Sequence, residues 1–307
     1  MIDTNRPDKP LIFDVFLMYN ELDLLELRLE TLYEHVDYFI LTEVDETFVH
    51  TFKPMFYSEN ISRFAKFADK IIYNPIINSE IKEHRKTYNY SDLKLSLPHK
   101  HLGKIPSKLP ETRLMEMAHR DSGIVALSKI ARAGDIVFMS DVDEIMNPKV
   151  FAEIRELNLM IPTYLEMDWY VYWMTNRCTQ NWYGTVVCDY KVLEKSSIDN
   201  LRIAVVKTDE MIIPGQSVCS AGWHFSYMGG YEAIKDKMQV LGWQGFRALG
   251  SRILERLGLI NWKTSILAGK SILLQDREFH EVDIDSSFPK PLTKTSSIVK
   301  KFDKDKI

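Results

Sequence analysis

The segment from Leu11 to Val44 constrains the fold more than any other part of the chain. Leu11 to Met18 is apolar except at Asp14, as suits a buried strand. It runs out at Asn20, a residue that favours helix N-caps, with Asp23 three positions later where a capping box places its acid. Leu22, Leu25, Leu29, Leu32 and Val36 then recur at spacings of 3, 4, 3 and 4, which predicts a helix with one apolar stripe to lay on a sheet. Tyr38 to Val44 and Lys70 to Ile76 read as further strands, being rich in Ile, Phe, Tyr and Val. Glu111 to Ala133 reads as a helix closed by Gly134, followed by a short apolar strand, Asp135 to Ser140. Asn147 then caps, and Pro148 starts, a helix over Lys149 to Leu157. Such alternation predicts an α/β sheet, largely parallel, over the first half. The second half differs: Thr163 to Met174 and Trp182 to Leu193 look like a hairpin, and Tyr231 to Gly269 looks helical. Without a repeat or a Gly, Pro or Ser linker, one domain with a helical C-terminal part is expected.

With 307 residues, 45% of them hydrophobic and 27% charged, the chain has the composition of a globular protein, which excludes global disorder and collagen-like repeats. A net charge of −4 gives no general attraction to nucleic acid or anionic membranes. Charge is nevertheless uneven. Residues 82–108 carry a net +5, which suits a solvated loop or a binding loop. From Lys290 onward six lysines face Asp303 and Asp305, and 290–307 reads as a disordered basic tail. Cys178, Cys188 and Cys219 have no C-x-x-C spacing, so reduced thiols are expected rather than a disulfide framework or zinc ribbon. No targeting or membrane-spanning segment is visible, so a soluble, cytoplasmic protein is expected.

The chemistry concentrates in Asp135-Ile-Val-Phe-Met-Ser-Asp-Val-Asp-Glu-Ile145, where a buried strand runs into three carboxylates. If the strand persists, Asp141 and Asp143 leave one face and share a divalent cation, with Glu144 beside them. Hard oxygen ligands favour Mg²⁺ or Mn²⁺ over zinc, and ligands of α/β sheets gather at the carboxyl ends of strands. The chain has two other D-x-D triplets, Asp283/Asp285 and Asp303/Asp305, but only the first follows an apolar strand. The plain alternative is a turn with solvated acids. In Ala221-Gly-Trp-His-Phe-Ser-Tyr-Met-Gly-Gly230, His224 is either a core histidine or, if it approaches Asp143, a third metal ligand or a donor to a phosphate. Two neighbourhoods offer a catalytic base, Glu144 and the strand pair Glu166 and Asp168; Asp168 is the choice, Glu166 being equally suited to a structural pairing. Trp169, Tyr172 and Trp182 suit either an aromatic platform for a sugar face or the core.

Several segments agree in order with one family. Phe13-Asp-Val-Phe-Leu-Met-Tyr-Asn-Glu-Leu-Asp-Leu-Leu-Glu-Leu-Arg28, Val36-Asp37, Thr42-Glu43, Thr47, Lys53-Pro54, Asp141-Val-Asp-Glu-Ile145 and Ala221-Gly-Trp-His-Phe-Ser226 together resemble glycosyltransferase family 17. This is the family of β-1,4-mannosyl-glycoprotein 4-β-N-acetylglucosaminyltransferase. The resemblance implies a GT-A-type, Rossmann-like nucleotide-sugar fold, an inverting reaction and a UDP-sugar donor, UDP-GlcNAc first. It implies that Asn20, Glu21 and Glu43 face the nucleoside, that Asp141 and Asp143 fill the D-x-D role and that His224 completes the metal or diphosphate site. Arg120 and Asp121 match a polar pair of the family, which implies a contact with the donor; an exposed helix ion pair is the plain alternative. Two departures stand out. The membrane anchor of animal members is not seen, and Leu241-Gly-Trp-Gln-Gly-Phe246 replaces a Ser/His-rich stretch, so acceptor choice is expected to differ.

The expectation is therefore a GT-A-like catalytic domain over 11–230, a helical extension of it over 231–289 and the tail from 290. Its activity would be metal-dependent transfer of a sugar, GlcNAc first, from a UDP-sugar to a carbohydrate hydroxyl. A phosphatase of the haloacid dehalogenase type, with Asp141 as nucleophile, and a catalytically silent carbohydrate-binding protein are the competing readings.

Overall fold

The computed structural model describes residues 6, 9–77, 111–206, 216–240, 245–268, 270–272, 277–293 and 296–306. The basic segment 82–108 lies outside them. Strand β1 (Ile12–Met18) is followed by helix α1 (Leu22–Leu32), β2 (Tyr38–Val44), α2 (Phe56–Glu59), a 3₁₀ helix over Ile61–Phe67 and β3 (Ile71–Ile76). Leu25, Leu29, Leu32 and Val36 are all buried, so the apolar stripe meets the sheet as its spacing predicts. The cap differs. Glu21, not Asn20, precedes the helix, and its carboxylate turns back to accept from the backbone N–H of Tyr19 at 3.1 Å and of Asn20 at 3.0 Å. Asp23 pairs instead with Arg63 at 2.7 Å and with Lys301.

The helix expected over 111–133 is two, α3 (Glu111–Asp121) and α4 (Gly123–Leu127), ahead of Gly134 with φ +95°. The chain continues through β4 (Ile136–Asp141), β5 (Glu144–Met146), α5 (Val150–Glu156), β6 (Thr163–Val171), β7 (Asn176–Cys178) and β8 (Trp182–Asp189). Then come α6 (Tyr190–Leu193), α7 (Ile198–Val206), β9 (Gln216–Ser226), α8 (Gly230–Val240), α9 (Gly245–Arg256), α10 (Trp262–Leu267), β10 (Phe279–Glu281) and α11 (Ser297–Lys301).

The mixed α/β class is as expected. One sheet runs β10-β7-β6-β8-β4-β1-β2-β3, with β9 pairing β6 and β5 pairing β9. Strands β4, β1, β2 and β3 are mutually parallel; β8 is antiparallel to β4 and β6, the hairpin predicted from the aromatic runs. Apolar side chains fill both faces: Phe16, Leu25, Phe39 and Phe138 on one, Phe13, Ile40, Val137 and Val186 on the other. Burial on both faces is why these strands read as continuous apolar runs rather than alternating ones. Cys178 and Cys188 are buried free thiols, and Cys219 is exposed.

A disordered tail does not describe 296–306. Its lysines face solvent while Val299 and Phe302, three apart on α11 and its end, enter the main core, and Lys301 reaches Asp23. None of the described helices is long and apolar enough to cross a membrane.

Candidate functional site

Strand order fixes where a ligand can sit. From β1 the chain moves outward through β2 to β3, then returns to place β4 on the other side of β1. The loops after β1 and β4 lie side by side at the carboxyl ends of the strands, where this topology predicts a ligand crevice. Tyr19 to Glu21 form one lip and Asp141 to Asp143 the other, Leu17 lying opposite Asp141 in the sheet.

The second lip is shaped by Arg28 of α1, which is fully buried. Its guanidinium pairs with Asp14 at 2.5 and 2.8 Å, meets Ser140 Oγ at 2.5 Å and donates to the carbonyls of Asp141 at 3.1 Å and Glu144 at 2.6 Å. Those carbonyls are thus turned inward, β4 ends at Asp141, and Val142 and Asp143 form a turn before β5. The strand does not persist, so the premise that both aspartates leave one face fails, and the two carboxylates part.

Asp141 faces α3 and α7. Arg120 reaches its two oxygens at 3.2 and 3.0 Å, and Arg202 reaches them at 2.5 and 3.1 Å. Burial alone would raise this carboxyl; the two guanidinium charges outweigh it and hold the pKa well below the carboxylate range. With both oxygens held, Asp141 does not join Asp143 as a metal ligand in the expected way. Glu144, expected as a base, is fully buried and accepts from Trp182 Nε1 at 2.8 Å, Thr185 Oγ1 at 2.9 Å, the Asp141 N–H at 3.1 Å and Arg202 at 2.7 Å. It is a structural anchor of the lip.

Asp143 faces the crevice. Lys237 Nζ of α8 lies 3.2 Å from its Oδ2 and 3.3 Å from Glu21 Oε1, so one ammonium joins the two lips. His224 Nε2, held opposite Glu144 by the β5–β9 pairing, lies 3.5 Å from Asp143 Oδ1. Its ring stacks on Trp169, with centroids 5.9 Å apart and 8° between planes, and tilts against Trp182 at 4.4 Å. Burial pushes the Asp143 carboxyl up, but Lys237 and then His224 bring it below the usual range. Lys237 moves the opposite way: burial lowers it, and Asp143 and Glu21 more than restore it, so it stays protonated.

These residues fit a divalent cation in part. Two cis ligands about 2.1 Å from a metal lie about 3 Å apart, close to the spacing of Asp143 Oδ1 and His224 Nε2. An oxygen and an imidazole nitrogen suit Mn²⁺. Among the described residues no group of three or more His, Cys, Asp or Glu side chains gathers at metal-binding spacing, so a cation here would need diphosphate or water for its other positions.

The remaining expected residues divide. Asn20 is exposed at the first lip and Glu21 half-buried beside it. Glu43 is fully buried and faces no open space: its oxygens accept from the Tyr57 N–H at 3.2 Å and Tyr73 hydroxyl at 2.9 Å, with Lys53 at 3.4 Å. Asp121 is no exposed partner of Arg120; it is buried and accepts from the Asp199 N–H at 2.8 Å. Asp168 lies on the Trp223 side of the sheet, opposite the face that carries His224 and Trp169, and pairs with Arg177 at 2.5 Å. The sheet thus separates it from the crevice, against its choice as base. Glu166 accepts from Asn181 and Tyr183. Of the aromatic platform, Tyr172 is core and accepts from the Ile272 N–H, while Trp169 and Trp182 flank His224.

His119, next to Arg120, is buried against Phe48 with its Nε2 unpartnered. Burial above all, aided by the charges of Lys53, Arg120 and His50, lowers its pKa to about 3. Between pH 6.5 and 3 the unfolded chain holds a proton here that the folded one does not, so stability falls as pH falls, by about 1.4 kcal/mol per unit. Urea unfolding of His119→Gln between pH 6.5 and 5, above the carboxylate range, should show that slope reduced by one proton; an unchanged slope would assign the loss elsewhere.

Comparison with curated proteins gives no match. Over residues 3–97, which run through β1, β2 and β3, the chain matches the family model of glycosyltransferase family 17, the family that its motifs resemble, and that match supports a glycosyltransferase activity.

Proposed function

We propose that the chain transfers GlcNAc from UDP-GlcNAc to a hydroxyl of a carbohydrate acceptor, with inversion, on a GT-A-type fold and with Mn²⁺ or Mg²⁺. The observation that carries this reading is the ammonium of Lys237 spanning the switch-point crevice from Glu21 to Asp143, with Arg120 and Arg202 behind the same lip. Fixed cations at the carboxyl ends of parallel strands suit a diphosphate. Asp143 and His224 would hold the divalent ion, which when bound neutralises charge on the diphosphate as it leaves. Asn20 and Glu21 would face the nucleotide side, with the half-buried Asp141 held behind the lip by Arg120 and Arg202.

The acceptor oxygen attacks the anomeric carbon from the side away from the diphosphate, and the bonding pair leaves with the β-phosphate oxygen. Lys237 then has a second anion to serve, and its charge counts for most where negative charge grows. The acceptor proton passes to a base other than Glu144, whose oxygens already accept hydrogen bonds. A phosphatase reading fares worse, because an aspartyl nucleophile needs a free oxygen and Asp141 has both held by arginines.

The test is mass spectrometry of UDP-GlcNAc, UDP-glucose and UDP-galactose incubated with the protein, with and without Mn²⁺. Slow hydrolysis to UDP and sugar, fastest for UDP-GlcNAc and dependent on the cation, is expected. Phosphate release from small phosphomonoesters with every UDP-sugar intact would replace the proposal with the phosphatase. No UDP binding, with or without Mn²⁺, would leave a silent binding protein.

A further inference from the structure

Exposed large apolar side chains are ordinary when scattered, as at Phe52, Ile61 and Val125. Four others fall within fifteen residues: Ile253, 49% exposed, Leu257 at 65%, Leu259 at 67% and Leu267 at 42%. They lie on α9, on the turn after it and on α10. The inner side of this helix pair is pinned. Trp262 is buried and donates to Ser251 Oγ at 2.8 Å, Ser251 is itself fully buried and donates to the Ile272 carbonyl, and the Tyr231 hydroxyl meets Glu255 at 3.0 Å.

The outer side is equally fixed. Leu257 N–H bonds the Ile253 carbonyl at 3.0 Å and Leu259 N–H the Leu254 carbonyl at 2.9 Å, around Gly258 with φ +69°. In such a helix ending the residue after the glycine commonly packs back on the last turn. Leu259 faces solvent instead, one position beyond the glycine, while Ile253 and Leu257 stand a turn apart on the same face. These three make up an exposed apolar tip at the end of α9.

Charge identifies what covers it. Residues 245–270 carry Arg247, Arg252, Arg256, Lys263 and Lys270 against Glu255 alone, a net +4 in a chain of net −4. Arg256, next in sequence to Leu257, and Lys263, four positions past Leu259, are exposed, while Glu255 is engaged with Tyr231. A second copy of the tip would set like charge against like charge, which disfavours a symmetric dimer through it. Exposed branched apolar side chains in a segment with an excess of basic ones suit a surface that is fluid, apolar beneath and anionic on top.

We infer that the tip formed by Ile253, Leu257 and Leu259, with Arg256 and Lys263, docks on an anionic phospholipid surface without crossing it. This does not depend on the sugar donor. The experiment is co-sedimentation of the full chain with vesicles of phosphatidylcholine alone or with about 30% phosphatidylglycerol. Binding to the anionic vesicles should exceed binding to the neutral ones by about tenfold or more and weaken as salt is raised. Leu257→Glu with Leu259→Glu, and separately Arg256→Glu with Lys263→Glu, should each cut it by about tenfold, while Ile61→Glu, an exposed apolar site elsewhere, leaves it unchanged. Circular dichroism confirms that each variant is folded. Equal sedimentation with both vesicle types, or none with either, overturns the inference. So does a dimer by light scattering that the leucine variant converts to monomer.

Discussion

Asp143→Ala is expected to lower sugar transfer by about 10³-fold or more while leaving a folded protein. The carboxylate lies where the lips of the crevice meet, with Lys237 on one oxygen and His224 on the other, and it is the acid of the strand-end cluster that no arginine holds. Alanine removes one of the two side chains that would hold the proposed divalent ion and leaves Glu21 as the carboxylate beside Lys237, so the charge proposed to meet the diphosphate is misplaced. The fold should survive, because Arg28, Glu144 and the Asp143 backbone carbonyl, not the Asp143 side chain, tie the turn to the sheet. Asp143→Asn keeps the volume and should fail almost as badly. Initial rates of UDP formation with acceptor present, alongside thermal melts, give the answer, and turnover within tenfold of the parent chain would remove Asp143 from the reaction. Lys237→Met tests the partner: diphosphate affinity without added cation should fall.

Most of the sheet was legible because its strands are buried on both faces and the α1 stripe repeats at helical spacing. Leu25, Leu29 and Leu32 are where that periodicity puts them. What failed was what depends on contacts between distant residues. Asp141 and Asp143 looked like one face of a strand because nothing near them signals a break; the break comes from Arg28, more than a hundred positions earlier, drawing the Asp141 and Glu144 carbonyls inward. Lys237 and Glu21 are 216 positions apart, and Lys237 reads locally as one more solvated helix lysine. Arg202 stands in a stretch with no motif, and only the fold brings it to Asp141 and Glu144. Asp168 fits an acid in the right neighbourhood until the β6–β9 register puts it on the other face. Lysine-rich composition masked the tail, where two apolar residues three apart suffice to dock a short helix.

Arg28→Met should be the most destabilising single change, by about 3–5 kcal/mol, because it leaves the Asp14 carboxyl unpaired and fully buried. In this pair, burial raises the Asp14 carboxyl more than Arg28 lowers it. What the pair secures is geometry: one guanidinium satisfies Asp14, Ser140 and the carbonyls on which the crevice lip turns. Replacing both partners, Arg28→Met with Asp14→Leu, should therefore recover much of the stability, since no buried charge is left alone. It should not recover the lip, because the Asp141 and Glu144 carbonyls would still lack their donor. Urea unfolding of the two single variants and the double gives the cycle, and UDP binding gives the lip. A double variant as unstable as Arg28→Met would show that the carbonyl contacts, not the buried charge, carry the energy. A double variant that binds UDP like the parent chain would show that the turn holds without Arg28.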